Sequence, residues 1–152
     1  KMKAQFLGHV VFYVEDMEKS LHFYNKLIGF EIVGSFNKPF KATALSSGRT
    51  HHELLLIEIG KAPKPPKGNR LGLYHIGIKV GDSLNELSSV KKELINARVD
   101  ITGMSDHTVS QSIYIEDPDG NEVELYVDDN SINWKEEPEL VMSPIKPLYL
   151  KD

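Results

Sequence analysis

A chain of 152 residues with 40% hydrophobic and 26% charged content suits one compact globular domain, or two small modules sharing a core. A net charge of −4 without a long basic run argues against nucleic acid as a partner. The absence of cysteine excludes disulfides, thiol nucleophiles and thiolate metal sites; with no stretch near the roughly 20 apolar residues that span a bilayer and no charged-then-apolar leader, the expectation is a cytoplasmic protein that does not engage membranes.

In chain order, residues 5–14 (Q-F-L-G-H-V-V-F-Y-V) are rich in β-branched and aromatic side chains and predict a first strand. Asp16 is placed to cap a helix over about 17–28, where Met17, Leu21, Phe23, Tyr24, Leu27 and Ile28 recur near helical spacing and Gly29 ends the run. Strands are expected at 30–36, 40–46 and 52–59. Residues 61–70, K-A-P-K-P-P-K-G-N-R, break every pattern and read as a linker. The order then resumes, with a strand at 73–80 and a helix at about 83–97 behind Asp82 and Ser83, carrying Leu84, Leu87, Val90, Leu94 and Ile95. Further strands are expected near 98–102, 110–116 and 122–127.

Both halves therefore read β-α-β-β-β, which predicts an α+β chain of two modules, 2–60 and 72–128, joined by a linker at 61–71 and followed by an extension over 129–152. Four strands and one helix leave a sheet face and its edges open, so such modules should pack on one another, within the chain or by exchange with a second copy. The extension is too apolar to hang free and is expected across the body or a partner subunit.

The repeat extends to chemistry. Residues 7–16, L-G-H-V-V-F-Y-V-E-D, and 73–82, L-Y-H-I-G-I-K-V-G-D, carry His9 and His75 at the same point. One patterned histidine alone reads as a core residue bonded to a carbonyl; two at matching positions would be brought to one place by the pseudo-symmetry. Alternation puts His9 on the face of Val11, Tyr13 and Glu15. Near the end, D-P-D-G-N-E-V-E-L-Y sets a turn over Asp117–Gly120 that aims Glu124, a residue costly to bury unless it is paired or bound to a metal. Two histidines and one carboxylate, His9, His75 and Glu124, suit a non-haem Fe(II) centre, with Mn(II), Ni(II), Co(II) and Zn(II) as competitors. Open metal positions imply chemistry or ligand binding.

These motifs, L-G-H-V-V-F-Y-V-E-D-M-E-K-S-L-H-F-Y-N-K-L-I-G-F at the front and E-D-P-D-G-N-E-V-E-L-Y at the back, resemble the vicinal-oxygen-chelate superfamily over residues 6–127. That superfamily includes glyoxalase I, fosfomycin and bleomycin resistance proteins and type I extradiol dioxygenases. The resemblance implies paired β-α-β-β-β modules forming a curved mixed sheet around a metal held by His9, His75 and Glu124.

Within it, H-H-E-L-L-L-I-E-I-G (51–60) and D-H-T-V-S-Q-S-I-Y-I-E-D-P-D-G-N (106–121) are similar to stretches of the catechol-type extradiol enzymes. This likeness implies an acid–base role for His52 (or His51), and roles for Tyr114 and His107 in positioning oxygen atoms. The plain alternatives are an exposed His51–His52 pair, a core Tyr114 with a bonded hydroxyl, and a solvated His107. The implied activity is cleavage of a catechol-like diol with O2, in a homodimer, since many extradiol enzymes carry four modules where this chain has two.

Two rivals stand beside it. A glyoxalase-like lyase or epimerase would recruit a fourth ligand, for which Glu58 is the candidate; otherwise Glu58 sits at the solvent end of its strand. A drug-binding resistance protein would work without metal, and a fosfomycin-type thiol transferase would want a cationic groove, whereas the basic cluster lies in the linker.

Overall fold

The computed structural model describes residues 1–151, which divide into two compact units, the first over residues 1–65 and the second from residue 66 onward. In the first unit the elements run β1 (Val10–Val14), α1 (Met17–Leu21), β2 (Glu31–Phe36), β3 (Ala42–Ser46) and β4 (Leu54–Glu58). In the second they run β5 (His75–Gly81), α2 (Leu84–Asn96), β6 (Gly103–Asp106), β7 (Ser110–Glu116), β8 (Glu122–Asp128) and a short β9 (Lys146–Pro147). The expected α+β class and the repeated β-α-β-β-β order are both present. Each unit pairs its first strand parallel with its fourth: the sheet orders are β1-β4-β3-β2 and β5-β8-β7-β6-β9.

Alternation in the first unit sends Phe12, Val14, Leu45, Leu54 and Leu56 into the core beside Met17, Phe23 and Tyr24. Each such side chain contributes about 1.5–3 kcal/mol by leaving water. Asp16 caps α1 by accepting from the Lys19 N–H at 3.0 Å. The helix then widens into a π-helical stretch over His22–Leu27, so the expected continuous helix over 17–28 is of two kinds. That stretch carries the adjacent Phe23 and Tyr24, both buried with rings edge-on at 4.8 Å. Apolar spacing alone does not distinguish the two helix types.

In the second unit Ile113, Ile115, Val123, Leu125 and Val127 bury one sheet face with Leu87 and Leu94 of α2. Ser83 and Glu86 form a reciprocal cap: the Glu86 N–H donates to Ser83 Oγ at 3.2 Å, and Glu86 Oε2 accepts from the Asp82 N–H at 2.7 Å. The strand expected near 98–102 instead forms at 103–106. Arg98 adopts a left-handed conformation at φ 58°, and the Val99 N–H closes back on the Leu94 carbonyl, so the helix exit consumes those residues. The extension contributes β9, which pairs with β6 and covers its edge. Trp134, Ile132 and Val141 line an open cavity of about 780 Å³ with Val109. No helix among the described residues is long and apolar enough to cross a membrane.

Candidate metal centre

The second unit gathers one half of the expected ligand set. The β5–β8 register places His75 opposite Glu122 and Gly77 opposite Glu124, and the β7–β8 register places Tyr114 opposite Glu124. Neighbours in register share a face, so His75, Glu122, Glu124, Ser112 and Tyr114 lie on the side away from α2. His75 Nε2 stands 3.1 Å from Glu124 Oε2, while Ser112 Oγ donates to Glu124 Oε1 at 3.0 Å. The other imidazole nitrogen, Nδ1, lies 2.8 Å from Glu122 Oε2.

The turn after β7 sets this geometry. Asp117 accepts from the backbone of Asp119 and Asn121 at 3.0 and 2.8 Å, and Gly120 takes φ 89°, so β8 returns in register.

Tyr114 and His107 join the same face. The β6–β7 loop is closed by Asp106, whose Oδ1 accepts from the Thr108 N–H and Gln111 Nε2 at 2.9 and 3.0 Å. Burial would raise the Asp106 carboxyl, but these donors and Lys146 hold it below the usual range. The loop delivers His107 Nε2 to 2.6 Å from the Tyr114 hydroxyl. Burial, then the charge of Glu124 and a hydrogen bond to it, push the Tyr114 phenol up to about 12. Tyr114 is thus a neutral donor beside the carboxylate.

The first unit carries the other histidines. His9 immediately precedes β1, exposed and on the face of Val11 and Tyr13, and its ring centroid lies 4.4 Å from that of His52. His52 falls before β4 rather than in it, because the expected strand over 52–59 begins at Leu54. Glu53 builds the preceding loop, accepting from the Ser47 and Thr50 N–H groups at 2.9 and 3.3 Å. His51 and His52 share a hydrogen bond between their Nδ1 atoms at 2.6 Å. Partial burial first, then the charges of His9 and His51, lower the His52 pKa from its usual value.

Glu58 ends β4 half-buried: its Oε2 accepts from the Met17 N–H at 2.8 Å, and Lys41 Nζ is 3.6 Å from Oε1. Sequence reasoning passed over Glu122 and Ser112. Glu122 was findable, since the period of two in E-V-E puts it on the face of Glu124.

The donor chemistry of the second unit fits a cation. The imidazole of His75 and the carboxylate of Glu124, with facing atoms 3.1 Å apart, are the donor types that bind a divalent cation. Among the described residues no group of three or more acidic or histidine side chains is arranged to hold a metal: His75 and Glu124 are brought together, and His9 lies in the other unit.

The repeat explains the asymmetry. Extending the β1–β4 register sets His9 opposite Glu53, as His75 is opposite Glu122, but Leu55 occupies the place of Glu124. The first module therefore offers histidine without a carboxylate at the position that Glu124 holds in the second.

Known proteins share this architecture. The chain is 32% identical over 133 residues to catechol-2,3-dioxygenase of Bacillus subtilis, covering 88% of this chain and 45% of that protein. It is 34% identical over 84 residues to biphenyl-2,3-diol 1,2-dioxygenase 2 of Rhodococcus globerulus, covering 53% and 42%. The chain thus spans less than half the length of either relative. A glyoxalase family protein of Enterococcus faecalis superposes with a TM-score of 0.65 at 23% identity, over 80% of this chain and 97% of that one, which is a likeness of fold. The sequence signature of one family matches residues 6–125, nearly the whole of both modules; the chain belongs to the Glyoxalase/Bleomycin resistance protein/Dioxygenase superfamily.

Proposed function

We propose that the protein is a metal-dependent extradiol-type dioxygenase that cleaves a catechol-like diol with O2, working as a cytoplasmic homodimer. The observation that carries this reading is the single sheet face on which His75 Nε2 lies 3.1 Å from Glu124, Glu124 is hydrogen-bonded to Tyr114, and the Tyr114 hydroxyl lies 2.6 Å from His107 Nε2. Similarity to two proteins named as diol dioxygenases supports the substrate class.

His75 and Glu124 would hold the metal with His9, contributed by the same chain or a second copy. Fe(II) is the first choice, with Mn, Ni, Co and Zn as alternatives. When bound, the metal supplies the charge that holds two vicinal oxygens and the one-electron chemistry that O2 requires. His52, with Nδ1 engaged by His51, has Nε2 left to take the proton of a diol hydroxyl and later return it. Its lowered pKa keeps the ring neutral and able to accept. Tyr114 donates its hydroxyl proton toward developing negative charge, and His107 Nε2 orients that hydroxyl. The engagement of Glu58 with α1 weighs against the four-ligand lyase reading.

The test is anaerobic reconstitution with Fe(II), followed by a panel of small catechols in air. O2 uptake matched by yellow ring-cleavage product is the expected result. No uptake together with tight Ni(II), Zn(II) or Co(II) binding would move the function to the lyase or isomerase branch.

A further inference from the structure

We infer that Glu122 is a positioning residue for the metal: its carboxylate holds His75 as the tautomer whose Nε2 is free to ligate. The inference rests on the metal reading above and extends it to a residue outside the ligand set.

Its basis is geometric. Glu122 and Glu124 project from the same face of β8, separated by one residue pointing into the core, and His75 lies opposite Glu122 on β5. The imidazole therefore stands between two carboxylates, with Nδ1 2.8 Å from Glu122 Oε2 and Nε2 3.1 Å from Glu124 Oε2. A neutral imidazole carries one N–H. A proton on Nδ1 donates to Glu122 and leaves the Nε2 lone pair directed at the Glu124 side, where a metal takes both. The opposite tautomer places a lone pair against Glu122 and blocks the ligating nitrogen. A carboxylate bonded to the distal nitrogen of a ligating histidine also orients the ring and raises its basicity.

The matching residue of the first module shows that this arrangement is not a by-product of the repeat. Glu53 occupies the corresponding register position before Leu54, yet its carboxylate turns back onto the Ser47 and Thr50 amides of its own loop. Only in the second module does the strand carry both carboxylates. Glu122 is about as accessible as His75 (side chains 28% and 31% exposed), so its removal leaves no buried void.

The test uses the full chain, with Co(II) titrated anaerobically and followed by its visible absorption. In parallel, two-bond 1H–15N correlations on the metal-free protein report the His75 tautomer. Glu122→Ala should weaken Co(II) binding about 10- to 100-fold and shift the His75 proton from Nδ1 toward Nε2. Glu122→Gln, which keeps an acceptor oxygen, should restore the Nδ1–H tautomer. Glu116→Gln is the charge control: it removes the carboxylate paired with Glu122 across β7 and β8, which does not touch His75, and should bind as wild type. Wild-type affinity and tautomer in Glu122→Ala, or equal losses in Glu116→Gln, would overturn the inference while leaving the metal site intact. Failure of the wild type to bind Co(II), or equal binding by His75→Ala, would overturn the metal reading itself and this inference with it.

Discussion

Glu58 Oε2 accepts the backbone N–H of Met17 at 2.8 Å, tying the end of β4 to the first turn of α1 across 41 residues of sequence. The first N–H groups of a helix have no partner within it, and a carboxylate there also meets the positive end of the helix dipole. Glu58 therefore serves the fold. Glu58→Ala should lower stability by about 1 kcal/mol, read as a shift in the urea midpoint, and should leave metal affinity unchanged. Loss of metal affinity in that variant would restore Glu58 as a ligand.

The roles of the histidines separate by what their removal takes away. His75→Ala deletes the nitrogen 3.1 Å from Glu124 and should abolish metal binding. His52→Phe keeps His75 and Glu124 and should retain the metal while lowering turnover by at least about 100-fold. Metal content by elemental analysis, set beside O2 uptake, reads the two effects. Full occupancy in His75→Ala removes the proposed centre, and unchanged turnover in His52→Phe reassigns the base.

Tyr114 bears on the alkaline side. An ordinary phenol ionises near pH ~10, and burial with the Glu124 charge pushes Tyr114 up to about 12. The folded state thus holds its proton where the unfolded state loses it. The stabilisation linked to Tyr114 is fully present below about pH 10 and is lost as pH rises from there toward about 12. Absorbance at 295 nm should show a tyrosine titrating late in the wild type and missing from Tyr114→Phe. The variant should also lose less stability than wild type over that alkaline interval. Identical titration curves would show that Tyr114 is not held neutral.

Gly81 marks where β5 hands over to α2. A Cβ at this position would stand 2.9 Å from Glu86 Cβ and 3.0 Å from its carboxylate, the group that accepts the Asp82 N–H. The neighbour cannot yield without breaking the cap. Gly81→Ala should cost about 1–2 kcal/mol, measured by thermal unfolding, and adding Glu86→Gly, which removes the Cβ as well as the carboxylate, should give much less than the sum of the two single losses. Additive losses would separate the glycine from the cap.

Much of the candidate centre could be read from the linear order of residues, because a strand repeats every two residues and a helix end has few chemical solutions. The matched His9 and His75, the D-P-D-G-N turn, the caps at Asp16 and Ser83 and the doubled β-α-β-β-β order all follow from such local rules. What lay beyond them depended on partners distant in sequence. Glu58 and Met17 meet across the first unit, Glu122 meets His75 through the parallel β5–β8 pairing, and Glu53 draws His52 out of the expected strand. A carboxylate takes whichever donor the fold brings within about 3 Å, and periodicity tells which face a side chain occupies without telling what waits there. Alternation on β8 was therefore enough to put Glu122 and Glu124 on one face, and only tertiary pairing decided that Glu122 would stand 2.8 Å from His75 Nδ1.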